Sequence, residues 1–278
     1  MFIGHYGVAF GAKPAAPFVP LWVCFLAVQW LDVVWSILVL LGIEKLRIVP
    51  GITEANAYDL YYMPYTHGLP GALALSLLFG AVVAILIAEK RATAFVVVSL
   101  VAFSHWVLDL LVHIPDLPLY DDSAKVGFGL WRHVAISFPL EIGLLVAGAW
   151  IYAQAVPAGT ARGRNILWGF VGLLSGLQVY ANFGPPPASE SAMAIMALVF
   201  YLILAAIAAL VERLRLASRQ SGDRASGQQK AAAEMIRRRL LAKPTRDRGD
   251  KISMRALVGP CFSLPPLASL AMTYSPAS

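Results

Sequence analysis

The sequence predicts an all-α protein, built as a polytopic transmembrane helical bundle of about six spans. Of its 278 residues, 59% are hydrophobic and only 14% are charged, and the mean hydropathy is +0.69. Ordinary soluble domains of this length are far more polar. The apolar residues also fall in runs of about 20, the length that a helix needs to cross a hydrocarbon core about 30 Å thick. Such runs must be helical because lipid offers no partner to backbone polar groups.

The apolar runs set the order of the elements. Residues 1–12 are apolar but too short to cross the bilayer, so we expect a short half-inserted or interfacial helix there. Residues 42–66 contain a cluster of tyrosines that is typical of a loop at the lipid–water interface. Three consecutive prolines in residues 183–187 predict a loop between the last two spans. The predicted spans are residues 21–41, 69–88, 94–112, 131–155, 166–182 and 192–211.

Charge divides the chain into two parts and predicts its orientation. Residues 1–211 form the predicted transmembrane domain, and residues 212–278 form a basic tail that we expect to be partly disordered. Basic residues near Lys90 and Arg162 fall on the same side as the tail, which the positive-inside rule assigns to the cytoplasm. We expect the tail to contact anionic lipid headgroups and expect no nucleic-acid partner. Two cysteines form neither a disulfide framework nor a thiolate metal motif.

The third predicted span carries ionisable residues at helical spacing. His105, Asp109 and His113 stand at positions i, i+4 and i+8, so they share one face of a helix. Imidazole nitrogens and carboxylate oxygens stacked one turn apart are suited to a transition metal. A charged group is costly in hydrocarbon, so some partner should compensate it. The alternative is a buried histidine that is hydrogen-bonded only to its own i+4 carboxylate.

Other spans place polar residues at a similar depth. On the predicted orientation, Asp32 lies about 13 Å below the outer surface, His105 about 10 Å and Glu141 about 12 Å. His67 begins the second span and His133 begins the fourth, both at the outer side. Agreement in depth predicts that these groups share one site in the outer half of the bilayer.

Several short motifs resemble a family of small bacterial inner-membrane proteins described as predicted membrane-bound metal-dependent hydrolases. The resemblance covers residues 1–135 and consists of His5, Asp32, Tyr65-Thr66-His67 and Ser104-His105 followed by Asp109. The last motif matches the family's Ser-His-x-x-x-Asp pattern. The first is reduced to its aspartate, and the second ends in glycine where the family has serine.

The resemblance implies a metal-dependent hydrolase in a bacterial inner membrane, with several spans and a cytoplasmic C-terminus. The expected ligands of a divalent cation, Zn or Mn, are His5, Asp32, His67, His105 and Asp109. Glu141 or His133 would act as the general base or support the ligands. Because the site is expected near the outer face, a lipid or a lipid-linked phosphate is the expected substrate.

Two other classes of function remain open at this stage. A small transporter or proton-coupled permease would use Asp32, Asp109 and Glu141 as titrating carboxylates. The two halves of the sequence show no obvious inverted repeat, which is less typical of that class. A non-catalytic assembly protein would use the same polar residues only to specify helix pairing.

Overall fold

A computed structural model of the protein describes residues 1–87 and 90–241. Within these residues the fold is eight α-helices, one short 3-10 helix (Leu130–Arg132) and one two-stranded antiparallel hairpin. This confirms the predicted all-α bundle, and it adds a hairpin that was not predicted. The helices are α1 (Ile3–Ala12), α2 (Leu21–Val28), α3 (Trp30–Leu40), α4 (Leu69–Leu86), α5 (Arg91–Val112), α6 (Val134–Ala155), α7 (Ala161–Phe183) and α8 (Glu190–Leu241), and the strands are β1 (Lys45–Ile48) and β2 (Tyr58–Tyr62).

The helices α4 to α8 are each long and apolar enough to cross a membrane. The pair α2 and α3 meets the same test when taken together, but it is bent by 53° at Gln29. The described chain therefore has five such helices, or six if the bent pair is one span, as predicted. The protein is an integral membrane protein.

The hairpin closes one end of the bundle, which we call the hairpin end. Leu46 of β1 and Leu60 of β2 are buried in one hydrophobic cluster with Trp35, at the middle of α3, and Val112, the last residue of α5. The amide of Asn182 in α7 also donates a hydrogen bond to the Ala55 carbonyl between the strands, at 2.9 Å. Buried contacts from three helices thus hold the hairpin over the space between them.

The short helix α1 lies inside the bundle, although its ten residues span only about 15 Å, half of a hydrocarbon core. It packs closely along α6 because glycines face each other at the contact. A Cβ atom placed on Gly148 would lie 1.9 Å from the Gly7 carbonyl oxygen, and one on Gly7 would lie 2.2 Å from the Leu144 carbonyl oxygen. Only glycine allows this separation, which brings the first residues of α1 to the middle of the bundle.

Polar contacts fix the opposite end of the bundle. Lys13 Nζ lies 2.6 Å from Glu212 Oε1, and the Leu21 N–H donates to Glu212 Oε2 at 2.8 Å. Arg215 is buried and donates hydrogen bonds to the carbonyls of Gly163 and Val156. These contacts tie α8 to the starts of α2 and α7.

The helix α8 continues past residue 211, where the tail was predicted to begin. The chain divides into one compact unit, Met1–Gln229, and a second unit, Lys230–Ser278. Within the second unit the structure describes α8 as far as Leu241. The remaining residues of the predicted tail lie outside the described part of the chain.

We expect Gly148→Ala to lower the free energy of unfolding by about 1–3 kcal/mol, because the added methyl group must push α1 away from α6. The matched control is Gly172→Ala in α7, where a Cβ atom meets nothing within 4 Å. That change should leave stability unchanged or raise it by less than about 1 kcal/mol. Thermal unfolding of the detergent-solubilised variants measures both effects. Equal stability of the two variants would contradict the close α1–α6 contact.

Candidate metal centre

The five residues predicted as ligands come together at the centre of the bundle. We call them the His–Asp cluster: His5 of α1, Asp32 of α3, His67 just before α4, and His105 and Asp109 of α5. Candidate ligand atoms of His5, His105 and Asp109 all lie within 4.8 Å of one another, and so do those of Asp32, His67 and His105. Four separate segments therefore deliver nitrogen and carboxylate oxygen atoms to one place.

The distances within the cluster match those between ligands of a single cation. His105 Nε2 lies 3.0 Å from Asp109 Oδ2 and 3.4 Å from Asp32 Oδ1. His67 Nε2 lies 3.4 Å from Asp32 Oδ1, and His5 Nε2 lies 3.2 Å from Asp109 Oδ1. Ligand atoms placed tetrahedrally about 2.0–2.1 Å from a zinc ion are separated by about 3.3 Å. The cluster would need little adjustment to hold such an ion.

His105 is oriented with one nitrogen towards the cluster. Its Nδ1 lies 2.6 Å from the carbonyl oxygen of Val28, at the bend between α2 and α3. A carbonyl can only accept a hydrogen bond, so Nδ1 carries a proton and Nε2 is the nitrogen that faces Asp109 and Asp32. Nε2 is buried and makes no hydrogen bond to any described residue. A buried imidazole nitrogen that faces two carboxylates is suited to bind a cation in place of a proton.

His67 is held in the same way through a relay. Its Nδ1 lies 2.8 Å from Thr66 Oγ1, and the Thr66 hydroxyl donates to Glu44 Oε2 at 2.6 Å. The hydroxyl therefore accepts from Nδ1, which leaves the Nε2 lone pair towards Asp32. Histidine ligands of metals usually donate their second N–H to a carboxylate or a carbonyl, which fixes the ring.

A fourth histidine, His113, has the same arrangement but was not among the predicted ligands. Its Nδ1 lies 2.8 Å from Asp116 Oδ1, and its Nε2 lies 3.5 Å from Asp109 Oδ2. Burial lowers the pKa of His113, but Asp116 and Asp109 outweigh that effect and raise it above its usual value. The i+8 spacing from His105 was the signal in the sequence that could have included it.

Two further contacts complete the surroundings of the carboxylates. The Tyr201 hydroxyl of α8 donates to Asp32 Oδ2 at 2.7 Å, so Oδ1 is the oxygen that faces His67 and His105. The nitrogen of Met1 contacts Asp109 Oδ1. A single hydroxyl in an apolar span gave no sign of Tyr201 in the sequence.

The two residues predicted as catalytic lie in different surroundings. Glu141 is buried, and its Oε2 accepts hydrogen bonds from the N–H groups of Phe2, at 2.7 Å, and Gly4, at 3.2 Å. It thereby fixes the first turn of α1, whose N–H groups have no partner within the helix, and it positions His5. His133 is exposed at the start of α6, and it is not among the described residues that line the cavity.

A cavity of about 440 Å³ lies between the His–Asp cluster and the hairpin end. Asp32, His67 and Asp109 reach into it, together with Glu141 and His113. Residues 50–51 and 53–58, which connect the two strands, line it from the hairpin side. The cluster therefore faces a space that is large enough for part of a small molecule.

Comparisons with family models, curated proteins and solved structures found no match.

We expect Thr66→Val to weaken zinc binding by about 10- to 100-fold, because the variant removes the hydroxyl that orients His67. Zinc titration of the purified protein with a competing chelator measures this change. Thr93→Val, an exposed threonine on α5, serves as the control and should bind zinc like the unmodified protein. Equal affinity of the Thr66 variant and the control would show that the relay does not support a metal site.

Proposed function

We propose that the protein is a metal-dependent hydrolase that acts on a lipid or a lipid-linked phosphate at the hairpin end of the bundle. One observation carries this proposal. Buried histidines turn Nε2 towards two carboxylates at a cavity, while protein groups behind His67 and His105 fix their Nδ1 atoms. Helix pairing alone would not require this common orientation.

The proposed histidine ligands face different oxygens of the Asp109 carboxylate. Its Oδ1 faces His5, and its Oδ2 faces His67 and His105. Asp32 supplies a second carboxylate that is held by Tyr201. Imidazole and carboxylate ligands fit zinc or manganese, as the sequence predicts. A bound divalent cation would supply a water of lowered pKa and a positive charge for the oxygen of the reacting group.

A side chain of the protein would then accept the proton of the attacking water. Glu141 lines the cavity and uses only Oε2 in its contacts with the backbone of α1. Its other oxygen is left for a water in the cavity, so we assign the general base to Glu141 in preference to the exposed His133. The proton would pass from that water to Glu141 and then to the leaving group.

The surroundings of the site favour a substrate that is located in the membrane. The cavity is bordered by α3, α7 and α8, all parts of candidate membrane spans. Basic residues such as Lys13 and Arg215 lie at the opposite end of the bundle. We therefore propose that the hairpin end faces outward from a bacterial inner membrane, with the basic end in the cytoplasm and near anionic headgroups.

The described residues support the permease alternative less well. A transporter needs access from both sides of the membrane, whereas apolar side chains fill the space beyond the cluster. Tyr6, Phe10 and Phe25 are all fully buried there, within the main hydrophobic core. Access from one side only is expected of an enzyme.

The direct test is an assay of purified protein with p-nitrophenyl hexanoate and with a p-nitrophenyl alkyl phosphodiester, before and after loading with zinc or manganese. We expect metal-dependent release of nitrophenol from at least one of the two substrates, lost with EDTA and restored by the metal. His105→Ala should lower kcat/KM by about a hundredfold or more. Val107→Ala, an exposed position on the same helix, is the control. The hydrolase proposal fails if neither substrate is cleaved in a metal-dependent way.

A further inference from the structure

The helices α7 and α8 share a core only in the half that lies near the opposite end of the bundle. There, Phe170 and Leu174 of α7 are buried in the same cluster as Leu204 and Ala208 of α8. Nearer the hairpin end, α8 packs elsewhere: Ala197 and Tyr201 are buried in a separate cluster with Val33 of α3. The two helices therefore border the cavity from different sides at the hairpin end.

The part of the cavity wall between these helices contains an apolar strip, beside the polar side chains of Gln178, Tyr180 and Asn182 of α7. Leu177 and Ala181 contribute from α7, and Met193, Met196 and Phe200 contribute from α8. The three residues of α8 stand at i, i+3 and i+7, which places them on one face of the helix. Methionine side chains are flexible and adapt to apolar groups of varied shape.

Residues of the same wall are also partly exposed. Phe200 is 37% exposed although it lines the cavity, and Ala181 is exposed as well. Because α7 and α8 are candidate membrane spans, the surface between them faces lipid. An opening at these residues would connect the His–Asp cluster with the hydrocarbon region.

Polar groups line the cavity at two other places, among apolar side chains such as Trp35, Leu60 and Trp131. Thr53, Glu54 and Asn56 line it below the hairpin, and the cluster lines it at the centre of the bundle. A molecule that fits these surroundings has a polar head at the cluster and an apolar chain between α7 and α8. From Met193 to Phe200 the apolar wall extends about 10 Å along α8.

We propose that the opening between α7 and α8 admits the apolar chain of a single-chain amphiphile directly from the bilayer. This inference rests on the proposed function and defines its physiological substrate class as a membrane-resident acyl or alkyl lipid, of which the p-nitrophenyl substrates are short-chain analogues. Leu177, Met193, Met196 and Phe200 hold the chain and thereby place the polar head at the cluster.

The test uses palmitic acid with a photoreactive diazirine in its chain, added to the full-length protein in nanodiscs, with EDTA present so that no metal takes part. After illumination, mass spectrometry locates the labelled residues. We expect saturable labelling at Leu177, Met193, Met196 and Phe200, which excess unlabelled palmitate removes. Met196→Trp should reduce this labelling by about tenfold because the indole fills the opening. Val199→Trp, on the lipid-facing side of α8, should leave it unchanged.

Labelling spread over lipid-facing residues such as Val199 and Leu173, without saturation, would overturn the inference. The hydrolase proposal would survive that result if a metal-dependent esterase or phosphodiesterase activity were present. Saturable labelling of the cavity without any hydrolysis would instead reject the hydrolase and leave a lipid-binding cavity. The two failures are therefore distinguishable.

Discussion

The structure depends on groups that offset the cost of burying two carboxylates, Asp32 and Asp109, within an apolar helical bundle. An ionised carboxylate is costly there unless cations or hydrogen-bond donors surround it. Three features of the fold, two of them irregular, bring such groups to the carboxylates or orient them there. The half-length helix α1 carries His5 to the centre, the bend at Gln29 leaves the Val28 carbonyl free to orient His105, and α8 contributes the Tyr201 hydroxyl. Each feature would be unexplained in a bundle held together only by apolar packing.

The hydrogen-bond partners of the histidine Nδ1 atoms distinguish a metal-ligand site from polar residues that only join helices. Polar side chains that only join helices are satisfied once they reach one another. Here the Nδ1 atoms of His67, His105 and His113 are bound from outside by Thr66, Val28 and Asp116, and Nε2 of each points inward. With Nδ1 bound from outside, each Nε2 can give its lone pair to a cation that binds between the carboxylates. A role in metal binding explains why each of the three imidazole rings has a separate protein group that fixes its orientation.

The sequence alone predicted the spans and the residues of the His–Asp cluster, because both follow from regular spacing along the chain. Run length identifies spans, and a four-residue spacing places His105 and Asp109 on one face. The sequence did not predict contacts between residues that lie far apart along the chain. The closeness of Gly7 to Gly148, the hydroxyl of Tyr201 on Asp32, and the packing of Glu212 against Lys13 have no local signature. The hairpin was missed because its tyrosines are equally typical of an interfacial loop. The bend at Gln29 was missed because the run around it contains no proline or glycine that would mark a break.

The central claim is that the His–Asp cluster binds a divalent cation, and X-ray absorption spectroscopy tests it most directly. The protein would be loaded with one equivalent of zinc, freed of excess metal, and measured at the zinc edge. The account predicts a first shell of nitrogen and oxygen atoms at about 2.0–2.1 Å, with the outer-shell scattering of at least two imidazole rings. Zinc that is lost on removal of the excess, or a shell without imidazole, would contradict it.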